Sequence, residues 1–402
     1  MSTLAGLVAC GQGPSTGHTL ASPSASFVAV PSVASPSASV PSPSPTPAPL
    51  PKTDPPPYRG AVVAVYGVGM PSGRGATHVV TASGGVLTDH LLQAPDGFRG
   101  VLDANANMVL ELDMGLEGGT FDVVTVELTR GTTRHLVNLD ALQNAAHGDI
   151  AGVLSPDGSQ AAVGVAHKLL VFTLATGASR ELNAGSSSKW FVPRKWTQAG
   201  IYASEVPYEG PAFDVVRIDP RTGSASVIYS PAPFFALSPD GGIAAVATNT
   251  NLGDGSGLRY AWFNTLTEIA GNSGGTLVAQ QKARNLLPVD VDAAGRILFQ
   301  SDTDHAATDT GLYLAVGGHP VRQLSAHFSG EWGTGAFVGS SSALVAHTRG
   351  GGLDAETAVE VDLVDLCSDT ATGCKVTTTT ISSTPGTWPT QVGHIVVIGS
   401  LA

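Results

Sequence analysis

The sequence predicts an all-β protein: a β-propeller of seven four-stranded blades, with six as the alternative count. Three observations predict it. "LSPDGSQAAVGV" from Leu154 and "LSPDGGIAAVAT" from Leu237 write nearly the same stretch twice. Weaker copies recur at intervals of about 40 to 50 residues, the period of propeller blades. The composition holds 49 Gly and 27 Pro, and only 13% of residues are charged. Turn formers alternating with Val, Thr, Ala and Leu suit short strands better than helices.

Taken from the N-terminus, residues 1–10 read as a truncated signal segment. A short apolar run ends in Leu7-Val8-Ala9-Cys10. This resembles the lipobox of bacterial lipoproteins, in which small residues let a signal peptidase approach the backbone before the Cys. The resemblance implies that Cys10 carries the lipid and begins the mature chain. One departure is that no Lys or Arg precedes the apolar run, which a start upstream of Met1 would explain. Residues 11–57 are built of Ser, Pro, Ala and Thr and read as a disordered linker. Frequent Pro blocks helix and ladder bonding, and apolar content is low. With polyproline II character at roughly 3.1 Å per residue, such a stalk spans on the order of 100 Å.

From Tyr58 to Ala402 the pattern changes to short strands and turns. Copies of the turn-and-strand unit start near residues 102, 154, 196, 237, 291, 337 and 388. Between starts the same order recurs: a strand into the turn, a strand out, a variable loop, then a hairpin such as "LLVFTLATGASREL" or "FDVVRIDPRTGSASVIY". Each hairpin turns on Gly and alternates apolar with polar residues, as half-buried strands do. Four strands per unit make a propeller blade. The last unit stops early, while "RGAVVAVYGVG" and "ATHVVTASGGVLT" near the N-terminus belong to no complete unit. N-terminal strands completing the C-terminal blade would close the ring and remove open edges. A pair of β-sandwiches is the rival architecture, disfavoured by the period. The "LSPDG" turn itself resembles the TolB-like, WD40-like repeats of bacterial propellers. In it Pro fits the first central turn position, Asp caps, and Gly accepts positive φ.

The formal net charge of −12 gives no electrostatic claim on nucleic acid or anionic lipid. Cys367 and Cys374, in "CSDTATGC", suit a hairpin closed by a disulfide in an exported protein. No HExxH motif and no phosphate loop is present. Suspicion therefore falls on loops. The interblade segment "SSSKWFVPRKW" and its partners supply Lys189, Trp190, Phe191, Arg194 and Trp332 as candidate ligand-binding residues. The loop "EVPYEGPAF" adds Glu205 and Glu209. Trp side chains that start inner strands pack between blades in the plainer reading; exposed ones stack on a sugar or peptide. Asp302, Asp304 and Asp309 in one loop form a candidate calcium site, although their spacing is not that of an EF-hand. No other cofactor is expected.

The expectation is a monomeric lipoprotein anchored outside the cytoplasm at a bacterial cell envelope. Its propeller would serve as a binding or scaffold module for a protein, peptide or glycan, meeting the membrane only through the lipid. The alternative is an extracellular propeller enzyme, a hydrolase or lyase, with acidic loop residues at the channel mouth. The TolB resemblance implies a third role, in envelope assembly without a small ligand.

Overall fold

A computed structural model describes residues 48–49 and, between 60 and 398, the strands with their tight turns; the longer loops and both chain ends lie outside the described residues. No helix occurs among the described residues, and the architecture is an all-β propeller.

The first seven strands are β1 (Ala48–Pro49), β2 (Gly60–Gly67), β3 (Gly75–Ser83), β4 (Val86–Ala104), β5 (Met108–Gly115), β6 (Phe121–Glu127) and β7 (Thr133–Asn138). Five four-stranded antiparallel meanders follow. The first is β8 (Ala151–Leu154), β9 (Gln160–Val165), β10 (Lys168–Thr173) and β11 (Ser179–Leu182). The second is β12 (Lys189–Thr197), β13 (Gly200–Pro207), β14 (Asp214–Ile218) and β15 (Ala225–Tyr229). The third is β16 (Phe234–Leu237), β17 (Ile243–Thr248), β18 (Thr265–Ala270) and β19 (Thr276–Gln280). The fourth is β20 (Asn285–Val291), β21 (Ile297–Asp302), β22 (Gly311–Ala315) and β23 (Arg322–Ala326). The fifth is β24 (Thr334–Val338), β25 (Ser342–Arg349), β26 (Ala358–Asp365) and β27 (Val376–Ile381). The last strand, β28 (Thr390–Ile398), returns to the first sheet and pairs with β2.

The strands thus form six hydrogen-bonded sheets, one fewer than the expected seven blades. The eight-stranded first sheet is built around β4, a strand of 19 residues. Its first part pairs with β3 as far as Gly75↔Gly97, with register shifts on either side of Thr77, and its second part pairs with β5 from Gly97↔Gly115 onward. β4 is thus bonded to both β3 and β5, and these strands form one sheet of eight. Of the segment 11–57, only Ala48–Pro49 is described, paired in parallel with His90–Leu91 of β4.

Local chemistry explains the turns. In both LSPDG copies the Ser hydroxyl donates to the Asp carboxylate, Ser155 to Asp157 and Ser238 to Asp240, each at 2.6 Å. The same hydroxyl accepts from the backbone N–H five residues on, at 2.9 Å in each copy. Gly158 and Gly241 hold φ of 67° and 76°, where a side chain is strained. Asp157, bonded to both serines and to the Ser159 N–H, titrates at about 2, below its ordinary 3.8.

Second strands are apolar on both faces because each is covered by a neighbour on either side. Ala161, Ala162, Ala244, Ala245 and Ala247 are fully buried. Gly164 abuts β12 so closely that a Cβ would overlap the Phe191 carbonyl oxygen. Outer strands turn polar: three of the four residues of β11 are exposed. Apolar clusters cross the junctions between sheets. One joins Val153 and Leu169 to Phe191 and Ile201, and another joins Leu266 to Leu286 and Phe299.

Candidate functional site

The innermost strands, from the second part of β4 through β28, line one cavity of about 1280 Å³. Its apolar wall includes Leu102, Leu154, Trp196, Phe235, Leu287 and Val396. Phe234 also faces it and is 39% exposed.

Three inner strands carry a β-bulge at corresponding places, between Val101 and Asp103, Pro193 and Lys195, and Pro288 and Asp290. A bulge re-aims the side chain beside it. In each case that side chain is charged, and each reaches the backbone of the next sheet's inner strand. Leu154 N–H donates to Asp103 Oδ2 at 2.7 Å. Lys195 Nζ donates to Leu237 O at 2.6 Å. Phe337 N–H donates to Asp290 Oδ2 at 2.9 Å. The other carboxylate oxygens accept from their own strands, from Ala104 N–H at 2.8 Å and Val291 N–H at 2.9 Å. An inner strand has one unpaired edge, and these side chains satisfy backbone groups that would otherwise lack partners.

The environment shifts all three. Burial raises Asp103 to about 6, against the pull of its two backbone N–H donors and the Lys195 charge. Burial likewise raises Asp290, opposed first by the Lys195 charge. Burial lowers Lys195, opposed by Asp290, Asp103 and Asp240. Neutralising shifts of this kind mark groups held where water is scarce. Nearby, Asp292 accepts from Arg296 Nε at 2.6 Å, and the Arg296 guanidinium lies 5.2 Å from the centre of the Phe337 ring. Among the described lining residues, three acids (Asp103, Asp290, Asp292) face three bases (Arg194, Lys195, Arg296), so the wall is electrically balanced.

Two further polar groups sit one step along the wall. Ser204 and Gln300 line the cavity and are 3% and 5% exposed. Ser204 Oγ and Gln300 Nε2 have no hydrogen-bond partner among the described residues.

The residues singled out in the sequence divide as follows. Lys189, Trp190, Phe191 and Arg194 all lie on β12, a strand and not the expected loop. Phe191 is 2% exposed and belongs to the core. Lys189 forms an ion pair with buried Glu205 across β12 and β13, which holds the ammonium above its ordinary range. Arg194 is the extra residue of its bulge and lines the cavity. Glu209, Trp332, Asp304, Asp309, Cys10, Cys367 and Cys374 lie outside the described residues, and so does the Asp302 side chain at the end of β21. No group of three or more His, Cys, Asp or Glu suited to a metal occurs among the described residues. Sequence reasoning missed Asp103, Asp290, Ser204 and Gln300. A recurring signal existed: Asp103, Lys195 and Asp290 fall in alternate units of the repeat, each shortly before its turn.

No protein-family model matches the chain, and no curated protein matches it. Solved structures do. An oligogalacturonate lyase in complex with manganese is similar at 14% identity and TM-score 0.50, over 76% of this chain and 83% of that one. The β-propeller domain of the Trilobed protease from Pyrococcus furiosus, described as having an open velcro topology, is similar at 9% identity and TM-score 0.50, over 78% and 98%. A structure described as "putative TolB from Agrobacterium tumefaciens" is similar at 12% identity and TM-score 0.41, over 66% and 89%. At these identities the likeness is one of fold.

Proposed function

We propose that this protein is a lipid-anchored binding module of the cell envelope, whose propeller receives its ligand in the cavity between the inner strands. In this reading Cys10 carries the lipid, residues 11–57 form the stalk, and Cys367 and Cys374 close a hairpin. The eight-stranded sheet counts as two blades sharing β4, which gives seven. β28, β2, β3 and Val86–Gln93 make one, and Phe98–Ala104 with β5, β6 and β7 makes the other. The divided register of β4 and the pairing of β28 with β2 support this count and a ring closed by N-terminal strands.

The observation that carries binding is how the charged groups are held. Each oxygen of Asp103 and of Asp290 already accepts a backbone N–H, and Lys195 is tethered to a carbonyl. Groups so fixed shape and polarise a cavity, whereas a general acid or base needs a free proton position facing its substrate. The enzyme reading, a hydrolase or lyase, draws on one observation: Asp103 at about 6 can exchange a proton near neutrality.

The test uses the full chain with Cys10→Ala, so that lipid does not mediate sedimentation, mixed with washed envelope fragments. Co-sedimentation that Phe234→Asp abolishes supports binding through the cavity. Co-sedimentation indifferent to that change, or none at all, refutes it. Steady release of soluble fragments, lost in Asp103→Asn, would favour the enzyme.

A further inference from the structure

Resting on the reading of the cavity as the binding site, we infer that its ligand is an uncharged, hydroxyl-rich chain, a neutral oligosaccharide, gripped at the level of Ser204 and Gln300.

The two residues occupy corresponding places. Lys195 pairs with Tyr202, and Ser204 lies two residues further along β13. Asp290 pairs with Leu298, and Gln300 lies two residues further along β21. A two-residue step on a strand is about 6.6 Å and returns to the same face. Ser204 and Gln300 therefore form a polar layer beside the charged layer, contributed by two different sheets. Each side chain is more than nine-tenths buried, lines the cavity, and offers a polar atom that no described protein group satisfies. Elsewhere in this fold buried hydroxyls are satisfied closely, as at Ser155 and Ser238. Buried polar atoms without partners are uncommon, and two facing one cavity at one depth point to a ligand.

Charge narrows the ligand class. An anionic chain would meet Asp103 and Asp290, and a cationic one would meet Lys195 and Arg194; the balanced wall rewards neither. A hydroxyl both donates and accepts, so one sugar ring can accept from Gln300 Nε2 and bond with Ser204 Oγ. Trp196 and Phe234 provide apolar faces in the same cavity, which suits the C–H faces of a pyranose.

Isothermal titration calorimetry of the full chain with Cys10→Ala, using cellohexaose, maltohexaose and chitohexaose, tests this, with hexagalacturonate and a neutral hexapeptide as controls. At least one neutral hexasaccharide should bind, and Gln300→Leu and Ser204→Ala should each weaken it tenfold or more. The Tm of each variant should stay level or rise, since neither Ser204 Oγ nor Gln300 Nε2 gives up a bond to a described protein group. A fall in Tm for both variants would place these groups in the protein's own bonding and overturn the inference. Binding of none of the three sugars would overturn it too. If only hexagalacturonate or the peptide binds, and Phe234→Asp abolishes that, the cavity reading stands and the neutral-sugar assignment fails.

Discussion

Asp103 makes the propeller's stability depend on pH in a direction opposite to that of an ordinary paired carboxylate. Its folded value is about 6 against 3.8 for the free group, so the native state binds the proton more tightly than the unfolded chain does. The stabilisation from this proton is complete below 3.8 and is lost as pH rises through about 6. A difference of about two units corresponds to roughly 3 kcal/mol. The perturbation is Asp103→Asn, which removes the titration. It leaves one N–H, of Ala104 or Leu154, facing the new amide, a cost that does not vary with pH. Urea unfolding of wild type and variant between pH 4 and pH 8 is the assay. The free-energy difference between them should move by roughly 2 kcal/mol against the wild type on going from pH 4 to pH 8, since at pH 4 a part of the full effect is already gone. A flat difference, or one moving in favour of the wild type, would refute the claim that burial outweighs the two backbone donors and the Lys195 charge.

The remaining expectations use other parts of the fold. Lys195→Met removes the ammonium that holds down both carboxyls, so Asp103 and Asp290 should titrate still higher, followed by carboxyl-carbon NMR. Gly164→Val should lower the midpoint of thermal melting sharply, at a cost of about 3 kcal/mol, because the Phe191 carbonyl occupies the new side chain's place. Thr77→Val leaves Glu111, fully buried and bonded to the Thr77 hydroxyl at 2.6 Å, short of that donor. It should cost about 1–3 kcal/mol in urea unfolding, and no loss would mean that the bond does not tie β3 to β5.

Much of the fold was legible. The twin LSPDG turns make matching bonds, and the hairpins read at 169–182 and 213–229 are β10–β11 and β14–β15. Local chemistry suffices there, since Ser, Asp and Gly complete the turn among themselves. The sequence misled where a strand broke its own alternation. "KWFVPRKWT" reads as a loop because Pro193 and the extra Arg194 disturb the period of two. It is nonetheless β12, because an inner strand has an open edge that does not need the Pro N–H. β4 runs straight through "QAPDGFRG", held by β3 on one part and β5 on the other.

By itself, then, the sequence determined what is local: the class of fold, the repeat, the turns and the outer hairpins. The cavity belongs to the tertiary structure. Asp103, Lys195 and Asp290 are distant in sequence, and only their place in alternate repeat units relates them. They line one wall because three bulges aim them at it and because each bonds the next sheet's backbone. Ser204 and Gln300 look like ordinary strand residues until the sheets are assembled, because whether a buried polar atom has a partner depends on every neighbour that the fold brings to it.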